Sequence, residues 1–311
     1  MITRRRFLAT SATMAAFAGL RPAWAKGANS SPNLEFPTQA RERIAVASYP
    51  FRDFIVDPAN AASSVQKIAL KDFAAHVVAR FKVNKVELWS GHFPSTDPKY
   101  LAEMRAAVEA AHGAVVNMAV DGEHSPFGED SKERDAAVAF SKQWIDVAAA
   151  IGSSSIRTNL PPPTNSKPDP SVGVERLKRV VEYASTKNVV INLENDNPVS
   201  EDPFLLIKMI EQVDSPWLHA LPDFANSLTA NDEEYAYCGV NAMFGHAYNI
   251  CHVKEYEASD NGKSVHVDLA KTFGFMREHH YRGYCSMEFD SAGDPYQGTA
   301  DLIEKAEKFL G

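Results

Sequence analysis

The chain has 311 residues, of which 45% are apolar and 23% charged, and a formal net charge of −8. That apolar share excludes an intrinsically disordered chain, and the acidic balance disfavours a nucleic-acid partner, whose phosphates it would repel. No apolar run beyond the N-terminus approaches the roughly 20 residues needed to cross a bilayer.

Residues 1–25 read as an export signal rather than as fold. Arg4, Arg5 and Arg6 precede Phe7 and Leu8, a modest apolar run follows from Ala9 to Leu20, and Ala23-Trp24-Ala25 supplies a small-x-small cleavage site. The order Thr-Arg-Arg-Arg-Phe-Leu resembles the twin-arginine signal, which implies export of a folded protein to the periplasm. Cleavage would remove Arg4, Arg5, Arg6 and Arg21 and take the net charge from −8 to −12, leaving no membrane attachment. Residues 26–42 read as a tether, rich in Ser, Asn, Pro and Gly as far as Gln39. The fold is expected over 43–311 as a single domain.

Within it, apolar runs alternate with segments of helical spacing. The first strand is expected over Ile44–Phe51, a helix over Ser64–Arg80 with Ile68, Phe73 and Val77 on its apolar side, and a second strand in VNKVELWSGH, with Glu87 and Trp89 on one face. Tyr100–His112 is helical, AVVNMAVDGEH is the third strand, and a helix over Lys132–Ile151 stops at Gly152. SSIRTNL is the fourth strand, and the Pro-rich loop from Pro161 to Pro170 reads as a lid or pocket wall. Further helices are expected over Val174–Lys187, Phe204–Val213, Asp268–His280 and Leu302–Leu310.

The second half carries the chemistry. Four apolar runs, VVINLEND, LHALPDF, NICHVKEY and YCSMEFD, deliver Glu194, Asp223, His252 and Glu288 at their ends. They lie about 20 to 30 residues apart, the spacing of successive strands in a (β/α)8 TIM barrel. A single acidic residue at a strand end is ordinary, but three carboxylates and an imidazole on one rim would repel or desolvate badly without a cation, so a divalent metal is expected. Hard oxygen ligands favour manganese, magnesium or cobalt over zinc. Alternation places Lys254 on the same face as His252, where it is either a group beside the metal or a residue leaving the strand into water.

This order of Glu, Asp, His and Glu resembles the sugar phosphate isomerase/epimerase superfamily, the xylose isomerase-like TIM barrels. The resemblance covers roughly Arg43 to Gly311. It implies an isomerase or epimerase acting on a small carbohydrate by proton transfer beside a carbonyl, with Glu194 and Glu288 carrying the proton as well as binding the metal. Asn226 and Ala258 stand where hexulose 3-epimerases have a histidine and an arginine, whereas His252-Val-Lys254-Glu255 resembles the His-x-Lys-Asp of inosose dehydratase and related lyase-like branches. A dehydratase or keto-glycoside lyase, with Lys254 as acid, is therefore the alternative, and a sugar-binding barrel without turnover is a third. The apurinic endonucleases of the same fold need further histidines, and Asn226 takes one of their places.

Substrate contacts are expected from His92, Trp89, Arg157 and Asn226; Tyr49 and Phe51 could also stack on a sugar ring, and His124 and Asn159 fall near the same rim. Most of these also read as ordinary core or loop residues. Cys238, Cys251 and Cys285 read as unpaired thiols, the last two on the outer faces of their strands. Homo-oligomerisation is left open.

Overall fold

Among the described residues, runs of three to seven residues build ten strands: β1 (Ile44–Ala47), β2 (Lys85–Trp89), β3 (Ala114–Val120), β4 (Ser155–Thr158), β5 (Val190–Glu194), β6 (Leu218–Leu221), β7 (Ile250–Val253), β8 (Tyr256–Ala258), β9 (Ser264–His266) and β10 (Tyr284–Met287). The computed structural model describes residues 31–56, 67–258 and 264–311. The expected export signal and residues 26–30 of the tether lie outside the described residues, as do Ser64 to Gln66 of the first expected helix. Among the described residues no helix is long and apolar enough to cross a membrane.

Eight strands form one parallel sheet in the order β6, β5, β4, β3, β2, β1, β10, β7. Its seam between β6 and β7 is joined by bridges at Ala220–Ala247 and Asp223–His252, with Ala220 N–H donating to His246 O at 3.0 Å and His252 N–H to Pro222 O at 3.1 Å. The result is the expected (β/α)8 barrel. The pair β8 and β9 forms a separate antiparallel hairpin after β7, which the sequence reading did not foresee.

The helices are α1 (Phe73–Phe81), α2 (Pro98–Ala110), α3 (Ser131–Ile151), α4 (Pro170–Lys187), α5 (Pro203–Val213), α6 (Asn226–Ala230), α7 (Glu233–Phe244), α8 (Leu269–Glu278) and α9 (Pro295–Leu310). Four begin with Asp-Pro: α2 after Asp97, α4 after Asp169, α5 after Asp202 and α9 after Asp294. Proline at the first helical position lacks only an N–H that has no helical partner anyway. In α4, α5 and α9 the aspartate side chain accepts from the exposed backbone N–H groups behind it. These caps start α4 and α9 four and seven residues before the expected Val174 and Leu302. The first helix is corrected the other way: Ile68 is extended and bridges to Ile55, and α1 begins only at Phe73.

Strand alternation separates two environments. Outward residues such as Val46, Leu88, Ile156, Ile191, Cys251 and Cys285 are fully or almost fully buried under the helices in the main core. Both cysteines, like the exposed Cys238, are free thiols. Inside the barrel the described residues form a small apolar layer, from Ala45, Val116, Leu221 and Ile250. Toward the C-terminal ends of the strands the interior turns polar, with Glu87, Asn117, Ser155, Asn192 and Ser286 all buried.

Candidate metal centre

Each candidate ligand sits where a strand ends or has just ended, on the inward side. Glu194 closes β5, Asp223 follows β6 by two residues, His252 lies in β7 and Glu288 follows β10. Their ligand atoms all lie within 4.8 Å of one another, and all four residues are buried. Oxygens on opposite sides of a magnesium ion stand about 4.2 Å apart, so a small contraction would let the four grip one cation.

Local structure aims these groups. Asp223 commits Oδ1 to the backbone N–H groups of Ala225 and Asn226, at 2.8 and 2.7 Å, and its own backbone is clasped by the Asn195 amide. Its Oδ2 is buried without a hydrogen bond, the state expected of an acceptor that awaits a cation. The imidazole stands between the acids: His252 Nδ1 is 2.7 Å from Glu194 Oε1, 3.1 Å from Glu288 Oε2 and 3.8 Å from Asp223 Oδ2. Orphaned oxygen, enclosure and a donor set of three carboxylates and one imidazole all fit a divalent metal.

The protein supplies separate counter-charges to the two glutamates. Arg157 Nε lies 2.8 Å from Glu194 Oε2, and Lys254 Nζ lies 3.4 Å from Glu288 Oε2 and 3.5 Å from Asp223 Oδ2. Burial alone would raise the Glu288 pKa, but His252 and Lys254 outweigh it and hold the carboxyl well below its usual range. Glu194 is likewise held low, by His252 and Arg157 against its own desolvation. Asp223 has weaker compensation, and burial pushes it up to about 6. Desolvation would discharge Lys254, yet Asp223, Glu288 and Glu257 keep its ammonium form favoured.

Above the cluster opens a pocket of about 230 Å³. Trp89, Arg157, Asn226, Lys254, Glu194 and Glu288 line it, joined by Tyr49, Asn159 and four acids that the sequence reading did not single out: Asp121, Asp196, Glu257 and Asp290. Tyr49 meets Trp89 edge to face at 5.2 Å, and the Trp89 indole N–H donates to Asp121 at 2.6 Å. Asn226 links both sides, accepting from Lys254 at 2.9 Å and donating to Glu194 at 3.3 Å.

Lys254 is only 5% exposed, so it turns toward the centre rather than into water. His92 is not part of the lining: it is buried behind Trp89, 4.8 Å away edge to face, with Nδ1 3.2 Å from Ser48 Oγ. Phe51 belongs to the apolar core, and His124 stands by Glu133 away from the pocket. None of the residues of the loop 161–170 lines it; the wall expected there is supplied instead by Glu257 of the β7-following hairpin. A strand-end pattern search could have found Asp121, one residue past β3, but not Glu257, whose place depends on the hairpin.

A β/α barrel with a buried acid and imidazole cluster at its C-terminal mouth is the class that fold and site define. Residues 75–309 match the xylose isomerase-like TIM barrel family, and the chain belongs to it. No curated protein matches the sequence significantly. Among solved structures the chain is similar to D-allulose 3-epimerase from Methylomonas sp., at 15% identity and a TM-score of 0.67 over 89% of this chain and 100% of that one. It is also similar to a xylose isomerase-like TIM barrel protein from Mycobacterium smegmatis in complex with magnesium (16% identity, TM-score 0.64, 88% and 98% covered). A third is 3-keto-D-glucoside 4-epimerase from E. coli (16% identity, TM-score 0.61, 86% and 99% covered). At such identities these likenesses establish the fold.

Proposed function

We propose that this protein is a divalent-metal-dependent isomerase or epimerase that moves a proton on the carbon beside the carbonyl of a keto-sugar or polyol-derived ketone. The carrying observation is that Glu194 and Glu288 converge on one ligand cluster while each is paired with a different cation, Arg157 and Lys254. Glu194, Asp223, His252 and Glu288 would hold the ion, with magnesium, manganese or cobalt preferred by this donor set. Bound there, the ion supplies a Lewis acid for the ketone oxygen.

The side chains do the rest. Glu194 and Glu288, both kept ionised, flank the reacting carbon: one takes its proton as base, and a solvent water beside the other gives a proton back to the carbon, the proton taken then passing to solvent to restore the carboxylate. The buried Lys254 ammonium steadies negative charge as it develops on oxygen. Trp89 and Tyr49 offer an apolar wall to the sugar ring, and the surrounding acids accept from its hydroxyls. Arg157 and Lys254 are each already engaged by carboxylates, which favours a neutral sugar over a phosphorylated one. The charge and export readings from the sequence agree with a periplasmic enzyme on small carbohydrates.

Lys254 also favours a second reading. A buried ammonium lining the pocket can protonate a departing hydroxyl or alkoxide, which would make the protein a dehydratase or keto-glycoside lyase. The test is incubation of the metal-loaded protein with keto-sugars and keto-glycosides in D2O, followed by NMR. Deuterium at the carbon beside the carbonyl, without elimination, supports the epimerase; release of the aglycone or water supports the lyase. Binding with neither leaves only a sugar-binding barrel. Glu288→Gln is expected to lower turnover about 10²–10⁴-fold with unchanged circular dichroism, and near-full turnover would remove the proton-transfer assignment.

A further inference from the structure

Glu87 is a buried carboxylate that proton transfer leaves unused. It lies on β2, 1% exposed, with both oxygens 3.0 Å from His252 Nε2. Two strands, β1 and β10, separate β2 from β7 around the sheet. Glu87 can reach across because the inward residues between them are small: Ala47 stands in register with Glu87, and Ser286 with His252.

We propose that Glu87 is a positioning residue that holds His252 with its ring proton on Nε2, so that Nδ1 presents its lone pair to a cation among Glu194, Asp223 and Glu288. This rests on the metal-centre reading above. The support is a chain of buried hydrogen bonds with one direction. Asn249 Nδ2 donates to Ser155 Oγ at 2.8 Å, Ser155 Oγ donates to Asn117 Oδ1 at 2.5 Å, and Asn117 Nδ2 donates to Glu87 Oε1 at 2.6 Å. Turning the Asn117 amide over would set its carbonyl oxygen against the carboxylate, two acceptors at contact with no proton between them. The carboxylate therefore accepts from Asn117 on one side and needs a donor on the other, and His252 Nε2–H is that donor. With Nε2 so occupied, the nitrogen left for a metal is Nδ1, which faces the three acids at 2.7, 3.1 and 3.8 Å. A carboxylate behind a ligating histidine fixes both tautomer and ring orientation.

The experiment uses the full-length protein stripped with chelator and titrated with Mn2+ by calorimetry, beside 15N-histidine NMR of the Zn2+-loaded wild type. The expected result is an Nε2–H resonance for His252 in the wild type and a 10–100-fold weaker Mn2+ affinity in Glu87→Gln, with circular dichroism unchanged. A merely structural role for Glu87 would leave the tautomer free. If the wild type binds Zn2+ with the proton on Nδ1, the inference is overturned without recourse to any variant. Binding by Glu87→Gln within about twofold of wild type overturns it as well. If the wild type binds neither Mn2+ nor Zn2+, the metal centre itself is wrong and this inference falls with it.

Discussion

Asp223 divides its two oxygens between structure and chemistry: Oδ1 caps the turn into α6 while Oδ2 is left bare toward His252 and Lys254. Asparagine could keep the first task and lose the second. Asp223→Asn is therefore expected to preserve the circular dichroism spectrum and weaken Mn2+ binding by at least about tenfold, since a ligand matters no less than the groups behind it; calorimetry checks this. A second buried acid, Glu201, ties the loop after β4 to the loop after β5 by accepting from the backbone of Leu160 and Asn197. Burial, reinforced by Asp196, pushes its pKa up to about 8 from 4.5 despite those donors. Between these values the folded state holds a proton that the unfolded chain has released, so stability falls as pH rises through this window. The melting temperature is expected to decline from pH 5 to pH 8, and Glu201→Gln to flatten that slope.

At the scale of elements, helix α4 approaches its neighbours so closely that only glycine fits. A Cβ on Gly173 would stand 2.5 Å from the Phe127 ring and 2.7 Å from the end of Met209. Helix propensity alone predicts that Gly173→Ala stabilises by about 0.5–1 kcal/mol. Overpacking a closed core costs about 1–3 kcal/mol, so the net change is expected to be destabilising, as denaturant unfolding would show. The same contrast explains which element boundaries were legible. Helix α3 was readable within one residue because Gly152 adopts φ +81 at its end and an aspartate caps its start. Helices α4 and α9 were read too short because their first turns are polar and are set by Asp-Pro caps rather than by apolar period. The β8–β9 hairpin, only three residues per strand and partly exposed, offers almost no pattern to read.

For the whole molecule, the centre stores electrostatic repulsion that a cation would relieve. Glu87, Glu194, Asp223 and Glu288 crowd one buried space, with His252, Lys254 and Arg157 as the protein's own compensation. A ligand that binds only the folded state adds about 2.7 kcal/mol at 100 times its dissociation constant. Mn2+ is thus expected to raise the melting temperature by several degrees, and chelator to reverse the gain. Thermal unfolding with and without the ion measures it, and a melting curve indifferent to divalent ions would remove the metal from the account. Glu288→Gln should show a smaller shift, because one of the charges that gains from the ion is gone.

The sequence by itself determined the barrel and the quartet Glu194, Asp223, His252 and Glu288, because both depend on regularities that repeat along a chain: strand alternation, strand-to-strand spacing, and an acid or imidazole at each end. Only the tertiary structure decided that Glu87 stands behind His252, that His92 sits behind Trp89, and that Glu257 and Asp290 wall the pocket. Those placements depend on which side chains are small enough to be reached across and on where a hairpin folds back. Such distances are set by packing between strands remote in sequence, and no local pattern carries them.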